Sequence, residues 1–350
     1  MNCSATRFRT IWVIGILFLL FQRGALAYGG FNSAGGENLG NRDEPKIVET
    51  GFSRDLDLIS RCRQHIARIV CLVDPVKNVF SHTNNSSRPC LESGDQYSRE
   101  FQSIYDLFPR VLQQTMCSLD RIFVEKSFWA SGYAHPRGRA IGIVQKILEE
   151  RTSLSEWSTW KERLPFELAS VPLQRPKNLP SVIADAPGAA GRAVYFIVAH
   201  ELAHLIDLAN NLSNIDAADY SRFSWRVKGR YITRDGLPNG WAWPCYYLCR
   251  RPKIDSVKIG GIYRDLNSSP FASLYATRNP SEDFAETLTY YVMSQRLDLA
   301  FRLKLGNKTI RDTNEPVSDK GLQEKLTYMK LLLERPYLIH GFPVPRQTLD

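Results

Sequence analysis

Two histidines and a glutamate in the stretch AVYFIVAHELAHLIDLANN have the spacing of a metal site. His200 and His204 are four residues apart, so on a helix they lie one above the other on one face and can bind the same ion. Glu201 is rotated by about 100° from His200. This rotation places it beside such an ion, where it can accept a proton from a water molecule. The pattern H-E-x-x-H therefore predicts hydrolytic metal chemistry.

The same three positions also match by chance, in on the order of one chain per hundred at average residue usage. The residues around the motif favour the functional interpretation, because they are strongly apolar and predict a buried helix. Buried histidines and a buried glutamate are costly unless they are paired or bound to a metal. A core helix that merely carries two imidazoles is the weaker interpretation.

A catalytic zinc site needs a third protein ligand and one open position. The segment NPSEDFAETLTYYVM, which starts at Asn279, carries Glu282 and Glu286 four residues apart on one helical face. We predict that Glu282 binds the metal, and that Glu286 hydrogen-bonds a ligand histidine and fixes its tautomer. The alternative is that both are solvated acids near a helix N-terminus, where negative charge is favoured.

Asp207 follows His204 by three residues on the same helix and is a second acid to consider. It could bind the metal in place of Glu282, orient His204, or lie on an exposed face of the helix. We rank the exposed and orienting interpretations above ligation. His340 lies in a Pro-rich segment far along the chain and is a poor candidate for a ligand.

The two motifs together resemble a known family pattern. H-E-x-x-H followed by a distant E-D-F-A-E looks like the gluzincin type of zinc metallopeptidase. More narrowly, Y-A-T-R-N-P-S-E-D-F-A-E resembles the corresponding segment of the anthrax lethal factor-like peptidases. In that group a tyrosine seven residues before the glutamate ligand hydrogen-bonds the tetrahedral intermediate, and Tyr275 has this position relative to Glu282.

The resemblance implies a peptidase in which a metal-activated water attacks the peptide bond of a peptide or protein substrate. One Zn²⁺ ion would be held by His200, His204 and Glu282. Glu201 would be the general base, and Tyr275 would donate a hydrogen bond to the oxyanion. Two alternatives remain: a zinc amidase that acts on cell-wall peptides, and a catalytically degenerate protein that binds a surface partner. Against the latter, Glu201 is retained, and structural zinc sites usually have four protein ligands.

The N-terminus predicts export. Two arginines precede an apolar run of 11 residues, Ile11 to Phe21, and a small-residue cleavage pattern ends at Ala27. This arrangement is typical of a signal peptide over residues 1–27. A membrane anchor is the alternative, but so short a run does not comfortably span a bilayer. We therefore predict a secreted or periplasmic protein with no stable membrane span after cleavage.

The net charge of the chain gives no indication of a nucleic-acid partner. Cleavage of the signal peptide removes three arginines and no acid, so the formal net charge falls from +9 to +6. That charge is mild for a chain of 350 residues, and no long run of lysine and arginine is present. We do not predict nucleic-acid binding.

Six cysteines remain after cleavage, and an even number in an exported chain indicates disulfides. We predict that Cys245 and Cys249 close a local loop. The other four lie in the N-terminal half and are expected to pair among themselves: Cys62, Cys71, Cys90 and Cys117. A zinc cluster is the alternative, but no C-x-x-C pair supports it.

The predicted elements run from helices to a small sheet and back to helices, so the fold class is α+β, and the family resemblance implies a zincin-like arrangement. We expect a flexible tail at residues 28–44, a helical, disulfide-bearing part at 45–118 and a catalytic domain at 119–350. Periodicity predicts helices at residues 55–73, 101–116, 155–167, 280–294 and 321–334. It predicts strands at 119–128 and 139–148, joined by a loop. The second strand could offer an edge to an extended peptide or lie inside the sheet.

Overall fold

The computed structural model describes residues 52–74, 88–128, 130–135, 139–167, 179–185, 191–215, 220–228, 230–233, 258–313, 315, 317 and 319–334. All of them belong to one compact unit that begins at Phe52. The predicted signal peptide, the tail at residues 28–44 and the loop between Cys245 and Cys249 lie outside these ranges.

Helices and small sheets alternate along the described chain, which confirms the α+β class. The helices are α1 (Phe52–Ile69), α2 (Asp95–Leu107), α3 (Arg110–Cys117), α4 (Gln145–Glu149), α5 (Leu154–Glu167), α6 (Ala193–Asn210), α7 (Ile259–Asn267), α8 (Pro280–Arg296) and α9 (Lys320–Glu334). The strands are β1 (Val70–Val73), β2 (Glu92–Ser93), β3 (Arg121–Glu125), β4 (Gly132–His135), β5 (Ala140–Val144), β6 (Pro180–Asp185), β7 (Trp225–Lys228), β8 (Arg230–Thr233), β9 (Ala300–Leu305) and β10 (Lys308–Asp312).

The largest described sheet has five strands in the order β2-β1-β3-β5-β4. β1, β3 and β5 run parallel, and the edge strands β2 and β4 are antiparallel to their neighbours. Both faces are covered: Ile122 and Val124 point into the main apolar core, whereas Phe123 packs with Tyr133 in a separate cluster. Because β1 pairs with β3, this sheet crosses the predicted domain boundary between residues 118 and 119.

Two helix predictions are wrong in their extent. The first predicted helix ends at Ile69, and the apolar run VCLV continues as strand β1, since such residues fit a strand buried on both faces. The second is broken into α2 and α3 at Pro109, which has no backbone N–H and disfavours helical backbone at the residue before it. Phe108 accordingly has extended backbone angles.

The predicted strand pair is also different in detail. The connection between the two strands contains a further strand, β4, and the second strand ends at Val144, where α4 begins. β5 lies between β3 and β4. Of the two alternatives for this strand, the internal position is therefore the observed one, and β4 is the edge strand on that side of the described sheet.

Disulfides tie the N-terminal elements together. Cys62 is bonded to Cys117, which joins α1 to α3, and Cys71 of β1 is bonded to Cys90. The prediction that these four cysteines pair among themselves is confirmed. No helix among the described residues has the length and apolar character needed to cross a membrane.

Helices α6 and α8 pack against each other and carry the predicted site. α6 is apolar on nearly all sides and buried almost throughout, and it ends where Asn211 takes a left-handed conformation. α8 begins as predicted: the side chain of Asn279 accepts a hydrogen bond of 2.9 Å from the backbone N–H of Glu282, and Pro280 occupies the first helical position.

Two smaller sheets complete the described fold. β6, β9 and β10 form an antiparallel sheet in the order β10-β9-β6, and β7 pairs with β8. α5 packs along β6 and also touches α6, so it brings a third helix to the region where α6 and α8 meet. The site is therefore held by three helices and bordered by strand β4.

Candidate metal centre

Three side chains meet where α6 and α8 cross. Nε2 of His200 and Nε2 of His204 are 3.1 Å apart. Oε2 of Glu282 lies 3.2 Å from the first nitrogen and 3.3 Å from the second. The structure thus brings together the three residues predicted as ligands, and they form a group that could hold a metal ion.

The dimensions of this triangle fit a small divalent cation. Ligand atoms about 2.0–2.1 Å from a tetrahedral zinc ion lie roughly 3.3 Å from one another, close to the three observed separations. The chemistry of the donors fits as well. If each ring carries its proton on Nδ1, both Nε2 atoms and the carboxylate oxygen present lone pairs to one point, and only a cation or a proton relieves their repulsion.

The carboxylate of Glu286 stands behind His200. Its Oε1 lies 3.1 Å from Nδ1 of His200, close enough for an ion pair although the angle is not that of a well-aligned hydrogen bond. Ser273 donates a hydrogen bond of 2.6 Å to Oε2, and Lys161 contacts Oε1 at 2.5 Å. Burial opposes ionisation of Glu286, but the charges of Lys161 and His200 outweigh it and lower its pKa to about 2.

A hydroxyl and a second carboxylate stand behind His204. Nδ1 of His204 lies 3.1 Å from Oγ of Ser281, and this hydroxyl donates a hydrogen bond of 2.8 Å to Oδ2 of Asp207. Asp207 is only 1% exposed, so of the two interpretations ranked above ligation the exposed face is wrong, whereas the orienting role agrees with its position. It is not part of the ligand group and reaches His204 through Ser281, which orients the ring.

The acids around the imidazoles shift their protonation. Burial disfavours the charged form of His200, but the neighbouring carboxylates of Glu282 and Glu286 outweigh burial and raise its pKa to about 9. Burial likewise disfavours the charged form of Glu282, but hydrogen bonds from both histidines hold its pKa well below the usual range. The carboxylates therefore favour positive charge at the imidazoles, which either a proton or a bound cation can supply.

Glu201 lies beside the ligand group rather than in it. Its side chain and His200 line a pocket of about 40 Å³ together with Gly132, Lys161 and Tyr275. A water molecule needs roughly 10–15 Å³ of such space, so one fits against the carboxylate. Burial raises the pKa of Glu201, and the nearby histidine charges oppose this shift.

Tyr275 is placed next to the third ligand. It belongs to a short 3₁₀ turn, Tyr275–Arg278, directly before α8. Its hydroxyl donates a hydrogen bond of 3.1 Å to Oε1 of Glu282, and Arg278 donates one of 2.8 Å to the same hydroxyl. Its ring centre is 6.0 Å from that of His200. The phenol is therefore within reach of a group bound at the centre.

Among the described residues, the sequence analysis did not predict five that lie near the site: Lys161, Ser273, Ser281, Arg278 and Gly132. Ser281 directly precedes the predicted ligand Glu282 on the same helix, so its position near the centre could have been read from the sequence. Arg278 lies four residues before Glu282, so its closeness in sequence to the predicted ligand could have indicated it as well. Lys161 and Gly132 come from distant elements, and no local pattern indicates them.

Comparisons with known proteins find no matching family, no matching curated protein and no matching solved structure. The functional conclusion therefore depends on the H-E-x-x-H motif, on the second motif around Glu282, and on the geometry that joins them. Both motifs lie on well-packed helices, and their side chains meet at atomic contact distance.

Proposed function

We propose that this protein is an exported zinc-dependent metallopeptidase with a zincin-like catalytic arrangement. One observation carries the proposal: two imidazoles from α6 and one carboxylate from α8 converge on a point, and the carboxylate of Glu201 borders a water-sized pocket next to them. A ligand set of three protein groups is typical of catalytic zinc, since structural sites usually have four.

The bound ion would act as a Lewis acid toward a water molecule and toward the carbonyl of the scissile peptide bond. Glu201 accepts the proton of the attacking water and passes it to the leaving amine as the C–N bond breaks. His200 and His204 keep their Nε2 lone pairs directed inward because Glu286 and Ser281 occupy the Nδ1 sides of the rings.

Besides the bound ion, the hydroxyl of Tyr275 is a second group that can stabilise negative charge on the substrate. Its hydroxyl donates to Glu282 at 3.1 Å and can turn to donate to the oxyanion that forms on the substrate carbonyl. Arg278 donates to the phenol oxygen, which polarises the hydroxyl and strengthens it as a donor. The role of Tyr275 as a catalytic residue is part of this proposal.

The test is metal content together with proteolysis, measured on the secreted wild-type chain and on Glu201→Gln. The substrates are an unfolded protein and, in parallel, purified cell wall. We expect about one zinc ion per chain in both proteins, and a loss of turnover by about 10²- to 10⁴-fold in the variant, the usual contribution of a general base.

Each outcome has a definite meaning. Full activity in Glu201→Gln, or a wild type that holds no metal, contradicts the peptidase proposal. Hydrolysis of cell-wall peptides without hydrolysis of unfolded protein assigns the zinc amidase alternative instead. Zinc binding with no hydrolysis of either substrate assigns the degenerate, surface-binding alternative.

A further inference from the structure

Lys161 is a buried cation next to the metal centre that the proposed mechanism does not use. It lies in α5, a helix that contributes no metal ligand, and it is 6% exposed. Its Nζ is 2.5 Å from Oε1 of Glu286. Lysine is almost never so buried unless it is paired, because removing its charge from water is costly.

Aromatic rings hold the ammonium group in place. Nζ of Lys161 lies 4.2 Å from the ring centre of Tyr275, 5.1 Å from that of Trp157 and 5.3 Å from that of Phe196. These distances are within the range of cation–π attraction. The shortest of these contacts is to the candidate catalytic residue Tyr275. Lys161 therefore contacts both this tyrosine and Glu286, the carboxylate behind His200.

Glu286 depends on this cation for its position. One oxygen of its carboxylate accepts from Ser273, and the other is shared between Lys161 and Nδ1 of His200. Without Lys161 the buried carboxylate would keep only the hydroxyl of Ser273 and the imidazole of His200 as partners, and it would be freer to rotate away from the imidazole or to take up a proton.

We propose that Lys161 is a positioning residue for the metal centre. Its ammonium fixes the carboxylate of Glu286 against His200 and thereby aims Nε2 of His200 at the ion, and it holds the ring of Tyr275 beside the ligands. This inference rests on the proposed function, since it assigns a role toward the same ion. It makes the affinity for metal depend on a residue that does not touch the metal.

The chain offers a matched control. Lys325 of α9 is also fully buried, pairs with Asp283 of α8 at 2.6 Å, and lies 4.6 Å from the ring centre of Phe271. Both lysines thus neutralise an acid of α8 among aromatic rings. Only Lys161 has a partner that contacts a metal-ligating histidine. Loss of either lysine should destabilise the fold, whereas only one should change the metal centre.

The experiment measures zinc affinity of the secreted chain by competition with a chelator, well below the unfolding temperature of each protein. The variants are Lys161→Met and Lys325→Met. We expect Lys161→Met to bind zinc about 10- to 100-fold more weakly than wild type, the usual effect of losing an outer partner of a ligand. Lys325→Met should keep the wild-type affinity. The cobalt-substituted protein gives a second readout, since its visible spectrum should change in Lys161→Met alone.

Wild-type zinc affinity and an unchanged cobalt spectrum in Lys161→Met would overturn the inference and leave the peptidase proposal intact. Equal losses of affinity in both variants would also overturn it, because they would show a general effect of stability. A wild type that binds no zinc would end both proposals. Lys161→Gln, which is smaller and uncharged, replaces the methionine variant if that variant does not fold, with the same expected loss.

Discussion

Gly132 and Glu201 lie so close together that no side chain fits between them. A methyl group built on the α-carbon of Gly132 would be 3.0 Å from Oε1 of Glu201 and 2.7 Å from Cγ2 of Ile197. Strand β4 therefore runs along α6 at the level of the proposed general base, and the absence of a side chain at position 132 sets the distance between them. The carboxylate is positioned partly by the strand that faces it.

Gly132→Ala should impair turnover while the ligand group stays in place. The added methyl group would be 2.7 Å from Ile197, whose side chain must move, and 3.0 Å from the carboxylate of Glu201, which must also give way slightly. We expect lower kcat with near-normal zinc content, and a loss of stability of about 1–3 kcal/mol. Gly261→Ala is the control, since an added methyl group there meets nothing within 4 Å. Equal turnover in wild type and Gly132→Ala would contradict this account of the strand.

Ser281→Ala should weaken zinc binding through His204. The substitution removes the hydroxyl that joins Nδ1 of His204 to Asp207, so the ring loses the group that orients it. We expect a decrease in zinc affinity of about 10-fold, at the low end for an outer partner. Ser294→Ala is the control on the same helix, because the hydroxyl of Ser294 donates to the carbonyl of Tyr290 one turn before it. The interpretation fails if both alanine variants bind zinc as wild type does.

Bound zinc should increase the free energy of unfolding by an amount set by its affinity and its free concentration. A ligand that binds only the folded state adds about 2.7 kcal/mol at a free concentration of 100 times its dissociation constant. Urea denaturation with zinc and with a chelator measures this difference. Glu282→Ala should lose most of it, whereas Asp207→Asn should retain a clear zinc-dependent increase. The opposite result would make Asp207 the third ligand.

Glu162 should make stability fall as pH rises toward neutrality. It is 7% exposed and accepts a hydrogen bond of 2.5 Å from Tyr263, and burial raises its pKa to about 7 from an ordinary 4.5. The folded chain therefore binds more protons at this group than the unfolded chain does. The stability that protonation contributes is fully present below pH 4.5 and is lost as pH rises through about 7.

Glu162→Gln removes this titration. Relative to wild type, the variant should gain stability between about pH 5 and about pH 8, by up to about 3 kcal/mol. Thermal or urea unfolding at several pH values measures the difference. Glu324→Gln, at an exposed position of α9, is the control for replacing a carboxylate by an amide and should not show the stability gain of Glu162→Gln. Parallel curves for wild type and Glu162→Gln would show that this carboxyl does not titrate abnormally.

The ligand group could be predicted from the sequence because its parts are local. The spacing of His200 and His204 fixes a shared helical face, and Asn279 and Pro280 fix the start of α8, which sets the direction in which Glu282 points. That α6 and α8 pack together is a feature of the tertiary structure. A buried pair of imidazoles nevertheless requires a partner, and the acidic motif around Glu282 was the best candidate in the sequence. For Asp207 the sequence left an exposed and an orienting position open, because the burial of this side chain depends on tertiary packing that the helical pattern does not contain.

The supporting residues could not be predicted in the same way. Lys161 reaches the centre from a helix whose amphipathic pattern gives no sign of a buried ammonium, and its partner Glu286 is 125 positions away in the chain. β4 is a strand of four residues whose pairing is decided by β5 rather than by its own composition. Such contacts depend on the tertiary packing of separate elements, which local periodicity does not contain.

The disulfide between Cys71 and Cys90 links β1 to the segment that leads into the edge strand β2. The opposite edge of this five-stranded sheet is β4, which lies beside Glu201. Formation of this disulfide therefore acts on the side of the sheet opposite to the edge strand that lies beside the candidate metal centre. A chain kept in a reducing compartment would lack this disulfide. The link between Cys71 and Cys90 therefore depends on oxidising conditions around the folding chain.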